Sequence, residues 1–195
     1  MPRQTSFSAD QLADRALRHF WTHGFHASSM DDLVRATGVS RHGIYTAFGG
    51  KKALFLACFD RYQQTVVTPA FEIVEAPNAD LTNVETYFER QIAWGEAETL
   101  PGPGCFVANS ATEVAPVDKD VVAQVLRHND RLRNGFERTL RRSAPQTAPD
   151  MAAEMADLMV IFTNGLWTLS RSVTEADSLR RPVQNFLHLL KRGLK

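Results

Sequence analysis

Residues 28–48, SSMDDLVRATGVSRHGIYTAF, constrain this chain more than any other stretch, because they spell two short helices with a tight turn between them. Ser29 is placed to cap the first helix, and Asp32, three residues on, completes a capping box in which each side chain takes a backbone N–H. Leu33 and Val34 supply the buried stripe, and Gly38 ends the helix because glycine enters the left-handed region at little steric cost. Val39 plugs the turn. Ser40 then caps a second helix whose apolar positions, Ile44 and Phe48, lie four apart on one face. The opposite face carries Arg41, His42, Tyr45 and Thr46, all hydrogen-bond donors, and a helix this short has no core of its own to bury them. Two helices joined by a glycine-containing turn of this kind form a helix-turn-helix, whose second helix enters the DNA major groove.

The run GVSRHGIYTAFGGKKALF resembles the signature of the TetR/AcrR family of bacterial transcriptional regulators. Gly38, Val39, Ser40, Tyr45, Phe48 and Lys51 fall on its pattern, and Ala53-Leu54-Phe55 continue it. The resemblance runs from Leu12 to Phe55; it departs at Gly49-Gly50, where a proline and a small polar residue are common. It implies an all-α chain, with a three-helix helix-turn-helix domain (1–50) joined to a larger helical ligand-binding and dimerisation domain (51–195). The partners implied are double-stranded operator DNA, a second copy of the chain and an unidentified small-molecule effector. No cofactor is implied.

The chain has 195 residues and a formal net charge of zero, so no global basic signal announces nucleic acid. The distribution is more informative. Residues 1–64 hold eight Lys/Arg against five Asp/Glu, and residues 65–195 hold 14 against 17, as a basic head on an acidic body would. Two cysteines make no disulfide framework. The opening MPRQTSFSAD lacks a signal-peptide apolar run, and Met159–Leu169 is too short to span a bilayer, so a cytoplasmic chain without a membrane partner is expected.

Ser8, with Gln11 completing a capping box, opens the first helix, and Gly24 closes it. A fourth helix runs from Lys51 to about Val74 and connects head to body. The apolar spacing then predicts helices over 81–98, 105–115, 118–143, 150–173 and 178–193, about nine in all, with no alternating strand pattern.

Reach assigns the candidate roles in the head. Arg41, His42 and Thr46 are candidates for base edges, and an arginine matches guanine O6 and N7. Gly43 lets backbone approach the groove floor. Tyr45 and Lys51 match family positions that touch phosphates, and Ser28, Ser29 and Ser40 sit at helix starts, where an anion is also favoured. His19, His23 and His26 have a spacing that can bind zinc, but no glutamate base and no clear fourth ligand accompany them.

In the body, Met151, Met155, Leu158, Phe162, Leu166 and Leu169 line one side of the eighth helix, and Leu179, Val183, Phe186, Leu187 and Leu190 line the ninth. The resemblance implies that these helices pair with their twins; the alternative is that both stripes face the protomer's own core. Candidate pocket residues are Trp94, Cys105, Phe106, Asn109, His128, Phe136, Phe162 and Trp167, with a satisfied core histidine as the alternative for His128. Cys105 at a helix start has two readings: a pocket or structural thiol, or a sensor whose pKa is lowered by the helix N-terminus. Rival functions are an enzyme, for which no nucleophile elbow, phosphate loop or carboxylate pair is present, and a helical ligand carrier, against which Tyr45, Lys51 and the basic head argue.

Overall fold

Ser8 opens the chain's first helix through a complete capping box with Gln11, and Ser29 opens the second through one with Asp32. The computed structural model describes residues 7–98, 100–146 and 148–194. Helix α1 is Ala9–His23, α2 Met30–Thr37 and α3 Arg41–Phe48. Gly38 between α2 and α3 is left-handed, with φ 72°, which brings α3 sharply across α2. Gly49 and Gly50 are the caps that separate α3 from α4.

Helix α4 begins at Lys51 but is not the uniform helix expected over 51–74. It is α-helical over Lys51–Tyr62, widens to a π-helix over Gln63–Val67 and returns to α-helix over Thr68–Glu75. Pro69 supplies a reason: it has no N–H, and its ring would crowd the carbonyl four residues back, so a widened turn before it relieves both.

The body continues with α5 (Leu81–Glu98), α6 (Phe106–Glu113), a 3-10 turn over Ala115–Val117, α7 (Lys119–Ser143), α8 (Pro149–Leu169) and α9 (Asp177–Gly193). Pro116 takes the 3-10 turn in place of the last residues expected of α6, and α8 stops short of 173 with Ser170 as its C-cap. Among the described residues there is no strand, and no helix is long and apolar enough to cross a membrane.

Head and body share one core. Phe55 on α4 meets Phe20 and Phe25 of the head at ring-centroid distances of 5.1 and 4.8 Å, and Phe106 of the body at 5.4 Å. Arg61 on α4 clasps Asp14 on α1 through two bonds of 2.8 and 2.9 Å. At the other end of the body, Phe162 on α8 stacks flat on Phe186 of α9, with centroids 4.0 Å apart.

The apolar stripes of α8 and α9 are divided between inside and outside. Leu166, Val183, Leu187 and Leu190 are buried within the protomer at 3–6% exposure, so they face its own core, the alternative reading of their stripes, and offer a second copy little surface. The exposed apolar side chains on these helices are Met151, Leu158, Ile161, Leu169 and Leu189. Ile161 and Leu189 were missed because an alternating stripe cannot say which of its flanks the rest of the body covers.

Candidate functional site

Helix α3 buries Ile44 completely and turns Arg41, His42, Tyr45 and Thr46 outward, as its spacing predicts. Ser40 accepts the Gly43 N–H at 3.1 Å and so fixes the start of the helix. The Arg41 guanidinium reaches back to Asp31 on α2 at 2.9 Å. Both partners are well exposed, so this pair is weak and leaves the arginine available to a stronger acceptor.

Two head assignments change. Ser28 is fully buried and donates to the Gly24 carbonyl at 2.5 Å, so no phosphate can reach it. Gly43 does not open the groove face: a Cβ there would lie 2.7 Å from Val39 Cγ1, so its missing side chain makes room for the plug of the turn. Ser29 is exposed, but its hydroxyl is engaged with Asp32, donating at 2.6 Å and accepting at 3.1 Å. Lys51 lies half-buried over the Phe25 ring at 4.3 Å, and burial draws its pKa down while Glu113 and Asp32 oppose that shift. Among the described residues no group of three His, Cys, Asp or Glu could hold a metal; His19 and His23 instead stack at 4.3 Å.

A cavity of about 240 Å³ lies in the body. Trp94, Cys105, His128 and Trp167 line it as expected, whereas Phe106, Asn109, Phe136 and Phe162 do not. Phe106 belongs to the shared aromatic core, Phe136 packs on Phe71 and Phe162 on Phe186. Asn109 braces the approach to α6, donating to the Pro103 carbonyl at 2.8 Å. The walls that sequence reasoning missed include Trp21, Tyr62, Tyr87, Ile92, Leu132 and Thr163. Trp21 sits on the head's first helix, so its spacing pointed only to the head's own core.

Cys105 is buried and is the N-cap of α6, its sulfur accepting the Ala108 N–H at 3.5 Å. Burial nevertheless pushes its thiol pKa up, outweighing the neighbouring Tyr62 hydroxyl and the helix N–H groups that pull it down. Of the two readings of Cys105, burial favours the pocket or structural thiol: the helix terminus is present, but the site is dry for a charge. Burial likewise holds His128 neutral, with a pKa lowered to about 4, and the charge of Arg131 adds to the shift. Its Nδ1 lies 2.9 Å from Gln63 Nε2.

Helix α6 ties this cavity to the head at both ends. Beside its start, the Trp21 indole N–H donates to the Gly104 carbonyl at 3.0 Å, and both residues line the cavity. At its end, the Glu113 carboxylate accepts the N–H of Phe25 at 3.0 Å and that of His26 at 2.7 Å, in the loop that leads to α2. Gly24 permits that approach, since a Cβ there would stand 2.8 Å from a Glu113 oxygen. Lys52, at the start of the connecting helix α4, bonds Asp118 and Asp120 at the start of α7 at 2.8 and 2.7 Å.

Residues 12–58 match the family described as bacterial regulatory proteins, tetR family. The HTH-type transcriptional repressor ComR of Escherichia coli (strain K12) is 31% identical over 147 residues, which span 72% of this chain and 65% of ComR. The HTH-type transcriptional repressor DhaR of Mycobacterium sp. (strain GP1) is 23% identical over 94% of this chain and 90% of its own length. Among solved structures, a cysteine mutant of the TetR family regulator CifR superposes with a TM-score of 0.80 at 21% identity, covering 96% of this chain and 98% of that one. That likeness concerns the whole fold, whereas the family match lies on the helix-turn-helix described above. Residues 12–58 thus carry the helix-turn-helix of the bacterial regulatory proteins of the tetR family, in a chain whose fold is that of the solved TetR family structures.

Proposed function

We propose that the chain is a sequence-specific DNA-binding transcriptional regulator, a repressor released from a palindromic operator when a small molecule enters the cavity. The carrying observation is the outer face of α3, where four exposed hydrogen-bonding side chains project from a helix whose other side is anchored by Ile44. In this reading residues 1–50 are the DNA-binding head and 51–195 the effector-binding and dimerisation body. Arg41, His42 and Thr46 meet base edges. Tyr45 and Lys51 hold phosphates, with Ser29 and Ser40 at the helix starts beside them. ComR and DhaR are named as HTH-type transcriptional repressors, and the CifR structure contains a 26-bp operator duplex, which supports DNA as the partner. Such a regulator works where bacterial DNA lies, in the cytoplasm.

A single two-helix head makes few contacts, and helix-turn-helix proteins double up on half-sites about one helical turn, or a multiple of it, apart. A second copy is the occupant we assign to the exposed stripe of Leu158, Ile161 and Leu169 on α8, with Leu189 on α9 and the stacked Phe162 and Phe186 beneath. Effector binding then acts through α6. A body conformation that shifts Gly104 or Glu113 moves α1 and the loop before α2, and release needs only a few kcal/mol of differential affinity between the two states.

Selection from random duplex DNA by the purified full chain, native and refolded, tests this. The expected outcome is an enriched inverted repeat whose log affinity falls linearly with log salt. Failure of both preparations to enrich any sequence would overturn it.

A further inference from the structure

Many buried polar groups of the cavity wall are engaged by the protein itself. The Trp21 N–H is taken by the Gly104 carbonyl, Thr163 donates to the Met159 carbonyl at 2.7 Å, and Ser170 donates to the Trp167 carbonyl at 2.7 Å. The Tyr62 hydroxyl faces Cys105, and the Tyr87 hydroxyl faces Trp167. Gln91 is half-exposed, and Trp94 and Glu98, the latter the charged residue among the described lining, are exposed.

His128 is different, and a relay of donors fixes how. Arg131 can only donate; it grips Glu75 at 2.6 and 2.8 Å and gives a further N–H to Gln63 Oε1 at 3.2 Å. That orients the Gln63 amide with its NH₂ toward His128 Nδ1, which must therefore accept. The hydrogen of the neutral ring sits on Nε2. No group among the described residues takes it, and the atom is not sealed in packed protein, so the free edge of the ring meets the cavity. Gln63 opens the π-helical turn, and Val66 and Val67 of the same turn line the cavity, so the widened turn places both the relay and part of the wall.

We infer that the cavity receives an uncharged one- or two-ring aromatic molecule bearing a carbonyl group, whose oxygen accepts the Nε2 hydrogen of His128. This rests on reading the cavity as the effector site. Three observations set the class. Walls of Trp21, Tyr62, Tyr87 and Trp167 favour a flat ring. A cavity of about 150 Å³ accommodates benzene, so 240 Å³ leaves room for a substituted ring or a fused pair. The charged side chain of the lining, Glu98, is exposed, so an ion held beside His128 would lose its hydration without a charged partner, whereas a carbonyl satisfies the donor that the ring leaves open.

Calorimetric titration of the full chain with acetophenone, ethylbenzene and benzoate tests the class with probes of similar size. Acetophenone should bind about tenfold more tightly than ethylbenzene, the value of one hydrogen bond to a buried donor, and benzoate should give no heat. Gln63→Leu releases the tautomer and should shrink that preference, and His128→Leu should invert it. If His128→Leu fails to fold, Gln63→Leu and nitrogen-15 NMR of His128 in the wild-type chain decide, the expected spectrum being that of an Nε2–H ring. Equal binding of acetophenone and ethylbenzene, preference for benzoate, no binding of any probe, or an Nδ1–H ring would each overturn the inference. No DNA enters these titrations, so their failure leaves operator binding to the selection experiment.

Discussion

On the outer face of α2 and α3, polar side chains are held by partners close in sequence: Ser29 by Asp32, Ser40 by the Gly43 N–H, Arg41 by Asp31. The bonds that tie the cavity wall and α6 to other segments join residues far apart in the chain: His128 with Gln63, Trp21 with Gly104, and Glu113 with Phe25 and His26. A locally held surface keeps its shape whatever the body does. A wall assembled from distant segments changes when any one of them shifts. A rigid reading face on a responsive body is what a ligand-controlled switch needs, and the long-range bonds of α6 are where the two kinds of construction meet.

The sharpest way to break the distinction is to remove the ring that joins the two regions. Phe55→Ala should cost about 3–5 kcal/mol, the usual range for a buried phenylalanine. Thermal unfolding should remain a single transition, because Phe20, Phe25 and Phe106 all lose the same partner. Two separated transitions would show that head and body melt as independent units.

Acid should weaken the body through His128. The unfolded chain protonates His128 near pH 6.5, and the folded chain only near pH 4. Unfolding therefore binds a proton between those values, and stability falls as pH drops through that window, by up to about 3 kcal/mol. Chemical denaturation across pH 4–7 measures the slope, and His128→Gln should make it shallower, leaving the smaller contribution of His19, whose pKa burial also lowers.

Within the head, substitutions should sort by what each side chain touches. Arg41→Ala should cost about 1–3 kcal/mol at particular base pairs and relax preference there. Tyr45→Phe and Lys51→Ala should instead weaken all duplexes alike, with a shallower salt slope for the lysine variant. Binding to a panel of single-base operator variants distinguishes the patterns. The smallest effect is expected at the thiols. Cys58 and Cys105 are buried and burial raises both pKa values, so a thiol reagent should label the native chain slowly and the unfolded chain fast.

The head was legible because its signals are local. A capping residue, a glycine and two apolar positions four apart determine a helix and its outward face with no knowledge of the rest of the chain. Ser28 and Gly43 were misread because their surroundings come from outside that pattern: Ser28 turns back onto the end of α1, and Gly43 faces the turn. In the body, helical periodicity placed the helices but could not say which aromatic rings form a core and which border a cavity. Phe106 and Phe136 went to the core, and Trp21, from the other end of the chain, went to the wall. The same periodicity could not separate the covered from the uncovered flank of α8, because that depends on α7 and α9.

Operator affinity of Glu113→Gln, measured on the selected inverted repeat beside its melting temperature, tests most directly whether the body sets the geometry of the head. Glu113 lies on the body and is assigned no DNA contact, and the substitution weakens its hold on the Phe25 and His26 amides. The account predicts an affinity changed by about tenfold, within the usual range of coupling between sites, with little change in melting. Wild-type affinity at wild-type stability would contradict it.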